Sequence, residues 1–132
     1  MAFRVVSALM TVLLAVAVAV QYNDPDPVQW MAIYGAACVL SAVAAVRGRA
    51  PWGWAAGVGL VALVWGLVVA QGAYGRSHLT EMFQSWEMKS PGVEEAREAS
   101  GLLIVAVWMA VLVIQARIMG RASLPPLSRP RM

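Results

Sequence analysis

Four long apolar runs, separated by short polar segments, constrain this 132-residue chain more than any other feature of its sequence. A helix needs about 20 apolar residues to cross the hydrocarbon core of a bilayer, which is roughly 30 Å thick. Four runs meet that requirement without a charge in the middle, at residues 3–20, 27–46, 52–71 and 97–117. The sequence therefore predicts an all-α fold, an integral membrane four-helix bundle.

Composition excludes the ordinary soluble classes of protein. Hydrophobic residues make up 61% of the chain and charged residues only 13%, whereas a soluble domain carries about a quarter charged residues. The pI is near 9.6, but the lysines and arginines are not clustered with aromatic side chains, which argues against nucleic acid as a partner. The partner that this composition predicts is the lipid bilayer.

The distribution of charge orients the predicted bundle, because cytoplasmic loops retain Lys and Arg while acids count for little. With the N-terminus inside, the cytoplasmic side carries seven cations and no acid: Arg4, Arg47, Arg49, Arg117, Arg121, Arg129 and Arg131. The opposite side carries three cations and all seven acids, so the two net charges, +7 and −4, agree with the total of +3. We expect both termini in the cytoplasm, in a plasma membrane or a bacterial inner membrane.

The first run also fits a second interpretation. Arg4, the apolar stretch after it and the small residues Ala17 and Ala19 have the form of a cleavable signal peptide. We expect the first span to be retained. Cleavage is the open alternative, and it would leave three spans in the same orientation.

The segment between the third and fourth runs predicts a short amphipathic interfacial helix. Its apolar residues follow the i, i+3, i+4, i+7 spacing: Leu79, Met82, Phe83 and Trp86. Such a helix lies on the membrane surface or caps the bundle. Ser90-Pro91 ends it and predicts a fourth helix that starts near residue 91, because proline suits the first helical position. The chain thus divides into a membrane domain at 1–118 and a basic, Pro-rich tail at 119–132, which we expect to be disordered.

Small residues along the second and third runs predict close contacts between those helices, because membrane helices approach each other where side chains are small. They are Ala37, Ser41, Ala45, Gly53, Gly57, Ala62, Gly66 and Ala70. Trp52 and Trp54 mark the inner boundary of the membrane, where indole rings are stable. The second and third helices are therefore expected to be close neighbours.

The stretch "NDPDP" interrupts the apolar sequence between the first two runs. A residue before proline is pushed out of the helical region, so Asn23-Asp24-Pro25 predicts a turn. Asp26 then stands at the N-cap and Pro27 at the first position of the second helix. The start of the fourth helix, "GVEEAREASG", lies on the same side of the membrane, so these two acidic segments can meet.

Together these segments resemble the transmembrane protein 220 family. "QYNDPDPVQWMAIYG" is similar to an Asn-Asp-Pro-Asp loop motif of that family, and "EEAREASGLLI" is similar to its Glu-Glu-x-Arg-Glu-x-Ser-Gly motif. The likeness covers residues 5–118 and implies a small multi-span membrane protein without a known activity. The motif positions that it implies are Asn23, Asp24, Pro25, Asp26, Trp30, Tyr34, Glu94, Glu95, Arg97, Glu98, Ser100 and Gly101.

The residues leave three interpretations of this acidic end open. In the first, Arg97 pairs with Asp24 or Asp26 and latches the first loop to the fourth helix. Glu94 and Glu95 then occupy the first turn of a helix whose N-terminal dipole favours acids.

In the other two interpretations, the acidic segments bind a ligand. Asp24, Asp26, Glu94 and Glu98 are the candidate ligands of a hard cation such as calcium or magnesium, a use that the neighbouring Arg97 opposes. Alternatively, Glu98 or Asp24 serves as a general base at the outer surface while Arg97 holds a lipid phosphate.

No cofactor is expected. His78 is the only histidine and Cys38 the only cysteine, which argues against a carboxylate-bridged di-iron centre, bis-histidine haem and a thiolate metal site. The spans lack ionisable residues in their interior, which disfavours transport by a single copy. We predict a non-enzymatic membrane component that forms a homo-oligomer or serves as an accessory subunit of a larger membrane complex. The alternative is an extracytoplasmic protein that binds a cation or acts on lipid headgroups.

Overall fold

The computed structural model describes residues 1–73 and 91–123, and these residues form four α-helices. They are α1 (Ala2–Val20), α2 (Pro27–Arg47), α3 (Trp52–Ala73) and α4 (Pro91–Ala122). A short 3-10 turn, Gln21–Asn23, follows α1. Each of the four helices is long and apolar enough to cross a membrane. The predicted all-α, multi-pass four-helix membrane bundle is therefore confirmed.

Prolines mark the starts of α2 and α4, as the sequence predicts. Pro27 is the first residue of α2, with Asp26 at the N-cap, and Pro91 is the first residue of α4. The Asp26 side chain makes no capping hydrogen bond. The start of α2 therefore depends on the proline, whose fixed φ and missing N–H suit the first helical position.

The end of α4 differs from the sequence-based expectation. The helix continues through Ala122, so residues 119–122 are helical instead of belonging to a disordered tail. No proline occurs between Pro91 and Pro125, and nothing else in that stretch breaks the helix. Residues 124–132 of the tail and the predicted amphipathic helix at 77–88 lie outside the described residues.

The helices pack as two pairs, α1 with α2 and α3 with α4. In the second pair, glycines of α3 let the two backbones approach closely. A Cβ atom added at Gly59 would lie 2.8 Å from the Cβ of Met109, and one at Gly66 would lie 3.1 Å from the Cβ of Leu102. Larger residues at these two positions of α3 would force the pair apart.

The expectation that α2 and α3 are the close neighbours is wrong, because α2 packs mainly on α1. Gly66 faces α4 and Ala62 is buried, while a Cβ atom at Gly53 or Gly57 would lie in open space. The small residues of α3 thus lie on more than one face of the helix. A stripe of small residues in the sequence does not identify the helix that packs against it.

Side chains of α4 join the two pairs in the middle of the bundle. Its buried stripe is Leu102, Val105, Met109, Leu112 and Ala116. The Trp108 Nε1–H donates a hydrogen bond to Ser41 Oγ of α2 at 2.8 Å. The Trp108 ring also stacks on Phe3 of α1, with 6.4 Å between ring centroids. One tryptophan therefore connects three helices.

Candidate functional site

The first loop forms a turn held by its own polar groups. The backbone N–H of Asp24 donates to the carbonyl of Gln21 at 3.0 Å. Asp24 Oδ1 in turn accepts a hydrogen bond from the backbone N–H of Asp26 at 3.2 Å. Asn23 and Asp26 are exposed, whereas Asp24 is half-buried. Asp24 is therefore the aspartate of this loop that turns toward the bundle.

The start of α4 brings more carboxylates to the same end of the molecule. Glu94, Glu95, Arg97 and Glu98 are all half-buried. The charge of Glu98 interacts with those of Glu94, Glu95 and Asp24. This proximity places the first loop beside the first turns of α4. Residues Asp24, Glu94, Glu95 and Glu98 are called the acidic end below.

The end of α3 completes the acidic end. A Cβ atom at Gly72 would lie 3.1 Å from Glu95 Oε2, so the Glu95 carboxylate lies against the last turn of α3. Ser100 Oγ donates to the carbonyl of Ala96 one turn earlier in α4, at 2.7 Å. This bond keeps the Ser100 hydroxyl on its own helix. The motif serine thus lies beside the acidic end and donates its hydroxyl proton to its own helix.

Directly below these charges, aromatic motif residues pack the helices together. The Trp30 ring of α2 stacks on Trp65 of α3, with 4.5 Å between centroids, and on Tyr34 at 6.3 Å. The Tyr34 hydroxyl occupies the space in which a Cβ atom at Gly101 would lie. Trp30, Tyr34 and Gly101 are called the aromatic joint below.

The candidate cation ligands do not form a coordination set. Within residues 1–73 and 91–123, no three His, Cys, Asp or Glu side chains are grouped so that they could hold one metal ion. Asp24, Asp26, Glu94 and Glu98 share one end of the bundle, but Asp26 is exposed and Asp24 bonds to the backbone of its own loop. The cation-binding interpretation, one of the three left open by the sequence, therefore finds no preformed ligand set among these residues.

Comparison with known proteins places this arrangement in a family. The family model described as "Transmembrane family 220, helix" matches residues 13–114. The chain belongs to transmembrane family 220. The matched range includes the acidic end and the aromatic joint. No solved structure matches the chain.

A set of contacts at the opposite end was not predicted from the sequence. Arg4 of α1 donates from Nε to the carbonyl of Ala45 at 2.8 Å and from a terminal nitrogen to the carbonyl of Val46, at the end of α2. Gln115 Nε2 of α4 donates to the carbonyl of Gly48 at 2.9 Å. These three chain segments therefore meet around the turn that follows α2. Arg4 and Gln115 lie outside the range, residues 13–114, that the family 220 model matches.

The fourth segment at this end is the start of α3. The Arg117 guanidinium of α4 lies over the Trp52 ring, 4.7 Å from its centroid, which is the geometry of a cation–π interaction. Residues Arg4, Gly48, Trp52, Gln115 and Arg117 are called the basic end below. A lone arginine near a span boundary is also the ordinary sign of membrane orientation, so no sequence signal distinguishes these contacts.

Proposed function

We propose that this member of transmembrane family 220 is a non-enzymatic structural component of a membrane assembly, and that it associates with a second copy of itself through α3. The observation that carries the proposal is a lipid-facing strip, rich in small residues, that the described helices leave uncovered. Self-association gives that strip a partner. In a larger membrane complex, an accessory subunit would use the same strip to contact its partner.

The uncovered strip runs along α3 with i, i+3, i+4, i+7 spacing: Gly53, Ala56, Gly57 and Leu60. All four residues are exposed. Gly53 and Gly57 have the small-xxx-small spacing by which membrane helices pair closely. Elsewhere on the same helix, Gly59 and Gly66 allow α4 to pack closely against α3. The strip therefore has the residue types of a close helix–helix contact, but none of the described helices packs against it.

A groove beside the strip enlarges the surface. It lies between α3 and α4 and encloses about 470 Å³. Its lining includes Ala56 and Leu60 of the strip, together with Ala106, Val107 and Ala110 of α4. A two-fold contact buries the same patch on both copies, so α3 of each copy would cover the strip and groove of the other. Small side chains on both sides suit such a close crossing.

Self-association is tested by counting subunits in vesicles. The labelled protein is reconstituted at decreasing protein-to-lipid ratios, and photobleaching steps report the fraction of dimers. We expect a reversible dimer whose population falls on dilution, and we expect Gly57→Leu to reduce the dimer fraction about tenfold at a given density, because a branched side chain blocks the close approach.

Gly35→Leu is the matched control. Gly35 is also a helical glycine whose added Cβ would meet nothing within 4 Å, but it lies in α2. It should leave the dimer fraction unchanged. Wild-type protein that stays monomeric at every density, or equal loss of dimer in both variants, would refute association through this strip.

The orientation of the bundle is part of the same proposal. The charge pattern supports both termini in the cytoplasm and the acidic end outside, in a plasma membrane or a bacterial inner membrane. In a Cys38→Ser background, Asn23→Cys should react with an impermeant maleimide on intact cells. Ser123→Cys should react only after permeabilisation. The reverse pattern would invert the proposed topology.

A further inference from the structure

A pocket at the basic end combines charge with an apolar wall. It encloses about 570 Å³ beside the turn that joins α2 to α3. Arg47 and Arg49 provide its charge, and Trp52 provides an aromatic surface. Val43 and Ala116 extend the lining toward the interior of the bundle. The pocket is independent of the acidic end and of the uncovered strip on α3.

The charges in and around this pocket are all positive among the described residues. Asp24, at the other end of α2, is separated from the pocket by the 21 residues of that helix, which is about 32 Å. Within residues 1–73 and 91–123, no ion pair is formed by Arg47 or Arg49. Arg117 adds a third guanidinium over the Trp52 ring. An anion entering the pocket therefore meets cations that no described carboxylate neutralises.

The backbone that carries the two pocket arginines is fixed by contacts from other helices. Gly48 stands between them in the left-handed region with φ +78°, and its N–H donates to the carbonyl of Ala44 at 2.9 Å. Gln115 binds the Gly48 carbonyl from α4. Arg4 binds the last turn of α2 from α1. A turn held from three directions presents its two guanidinium groups with little loss of backbone entropy on binding.

The chemistry of the lining corresponds to one class of molecule. A guanidinium group binds phosphate oxygens in a bidentate manner. The start of α3 at Trp52 adds the positive end of a helix dipole, which also favours anions. The apolar wall at Val43 and Ala116 suits the glycerol and the first methylene groups of an acyl chain. Basic pockets between membrane helices on the cytoplasmic side are sites for anionic lipid headgroups.

We propose that this pocket binds the phosphate of an anionic phospholipid from the leaflet that surrounds the basic end. The lipid lies with its phosphate between Arg47 and Arg49 and its glycerol against the apolar wall. Binding does not depend on self-association, so the two proposals succeed or fail separately. A free phosphate ion shares the headgroup chemistry but makes no contact with the wall.

Native mass spectrometry of the detergent-solubilised protein tests the pocket directly, because it resolves individual lipid adducts on the monomer. Phosphatidylglycerol, phosphatidylcholine and inorganic phosphate are titrated separately. We expect one saturable phosphatidylglycerol adduct that forms at lower concentration than the phosphatidylcholine adduct. Each pocket arginine removed, in Arg47→Gln or Arg49→Gln, should raise the apparent Kd for phosphatidylglycerol about fivefold.

Arg121→Gln is the matched control, since Arg121 is an exposed cation near the same end of α4 but does not line the pocket. It should change the Kd less than twofold, and Arg49→Lys should retain part of the affinity. Melting curves of all variants in phosphatidylcholine nanodiscs establish that they are folded. Equal binding of phosphatidylglycerol and phosphatidylcholine would overturn the proposal. So would equal losses in Arg121→Gln and Arg49→Gln, or displacement of the lipid by equimolar inorganic phosphate.

Discussion

The two ends of the bundle hold their charged groups in different ways. At the acidic end, the carboxylates of Asp24 and Glu98 lie close enough for their charges to interact, and the helices are packed together below them by the aromatic joint. At the basic end, cations contact neutral partners directly. Arg4 binds carbonyls at the end of α2, and Arg117 lies over an indole ring.

The difference follows from the chemical groups that each end of the bundle presents. The last carbonyls of a helix have no partner within the helix, and the negative end of the helix dipole attracts a cation. An arginine from a neighbouring helix can therefore link two elements with hydrogen bonds alone. At the acidic end, Arg97 lies among the carboxylates of α4, and the aromatic joint packs the helices together beside them. We infer that the aromatic joint contributes more to stability than the charges above it.

The largest expected effect tests the aromatic joint. Gly101→Ala places a Cβ atom where the Tyr34 hydroxyl lies. Overpacking of a well-packed site costs about 1–3 kcal/mol, and we expect the upper part of that range because Tyr34 is only 8% exposed and cannot easily move. Unfolding in mixed micelles with increasing SDS measures the loss.

The same site provides its own control. Tyr34→Phe removes the hydroxyl, and the ring carbon that carried it lies 3.4 Å from the added Cβ, which is an acceptable contact. Gly101→Ala should therefore be largely tolerated in a Tyr34→Phe background. Gly35→Ala, with open space around its Cβ, should not destabilise the protein. Failure of Tyr34→Phe to restore stability would mean that the overlap is not the cause.

The second prediction concerns the basic end and a smaller effect. Arg4→Ala removes two charge-assisted hydrogen bonds to the end of α2. We expect a loss of about 1–2 kcal/mol in the free energy of unfolding, because the bonds are exposed to solvent. Arg4→Lys should recover part of it. Arg121→Ala serves as the matched control and should have no measurable effect. Equal melting temperatures for Arg4→Ala and Arg121→Ala would show that the link between α1 and α2 is not stabilising.

The ease of predicting each feature depends on whether its signal is local. Helix existence and helix starts were predictable, because run length fixes the spans and prolines fix the starts at residues 27 and 91. The pairing of helices was not, because Gly53 and Gly59 look alike in the sequence although one faces outward and the other faces Met109. Which face of a helix meets a neighbour is decided by the whole bundle.

In the candidate site, too, some features could be predicted from the sequence and others could not. The turn at residues 23–26 and the approach of Asp24 to the start of α4 follow from topology, because both segments lie on one side of the membrane. The Tyr34–Gly101 contact and the hydrogen bond from Trp108 to Ser41 join residues 67 positions apart. Nothing in the local sequence specifies their partners. These contacts are fixed only by the packing of the whole bundle.

The smallest expected effect decides whether the acidic end also has an ionic link of its own. If Arg97 pairs with Asp24, Arg97→Ala should cost about 1 kcal/mol, the upper range for a solvent-accessible ion pair. The exchange of charges in Arg97→Asp with Asp24→Arg should then recover at least half of the loss caused by the single changes, and the recovery should shrink at high salt. The parallel exchange with Asp26→Arg identifies which aspartate takes part. If neither exchange restores stability beyond the sum of the single changes, Arg97 does not latch the first loop. The contrast between the ends would then be sharper, because packing, and not Arg97, would hold the first loop at the acidic end.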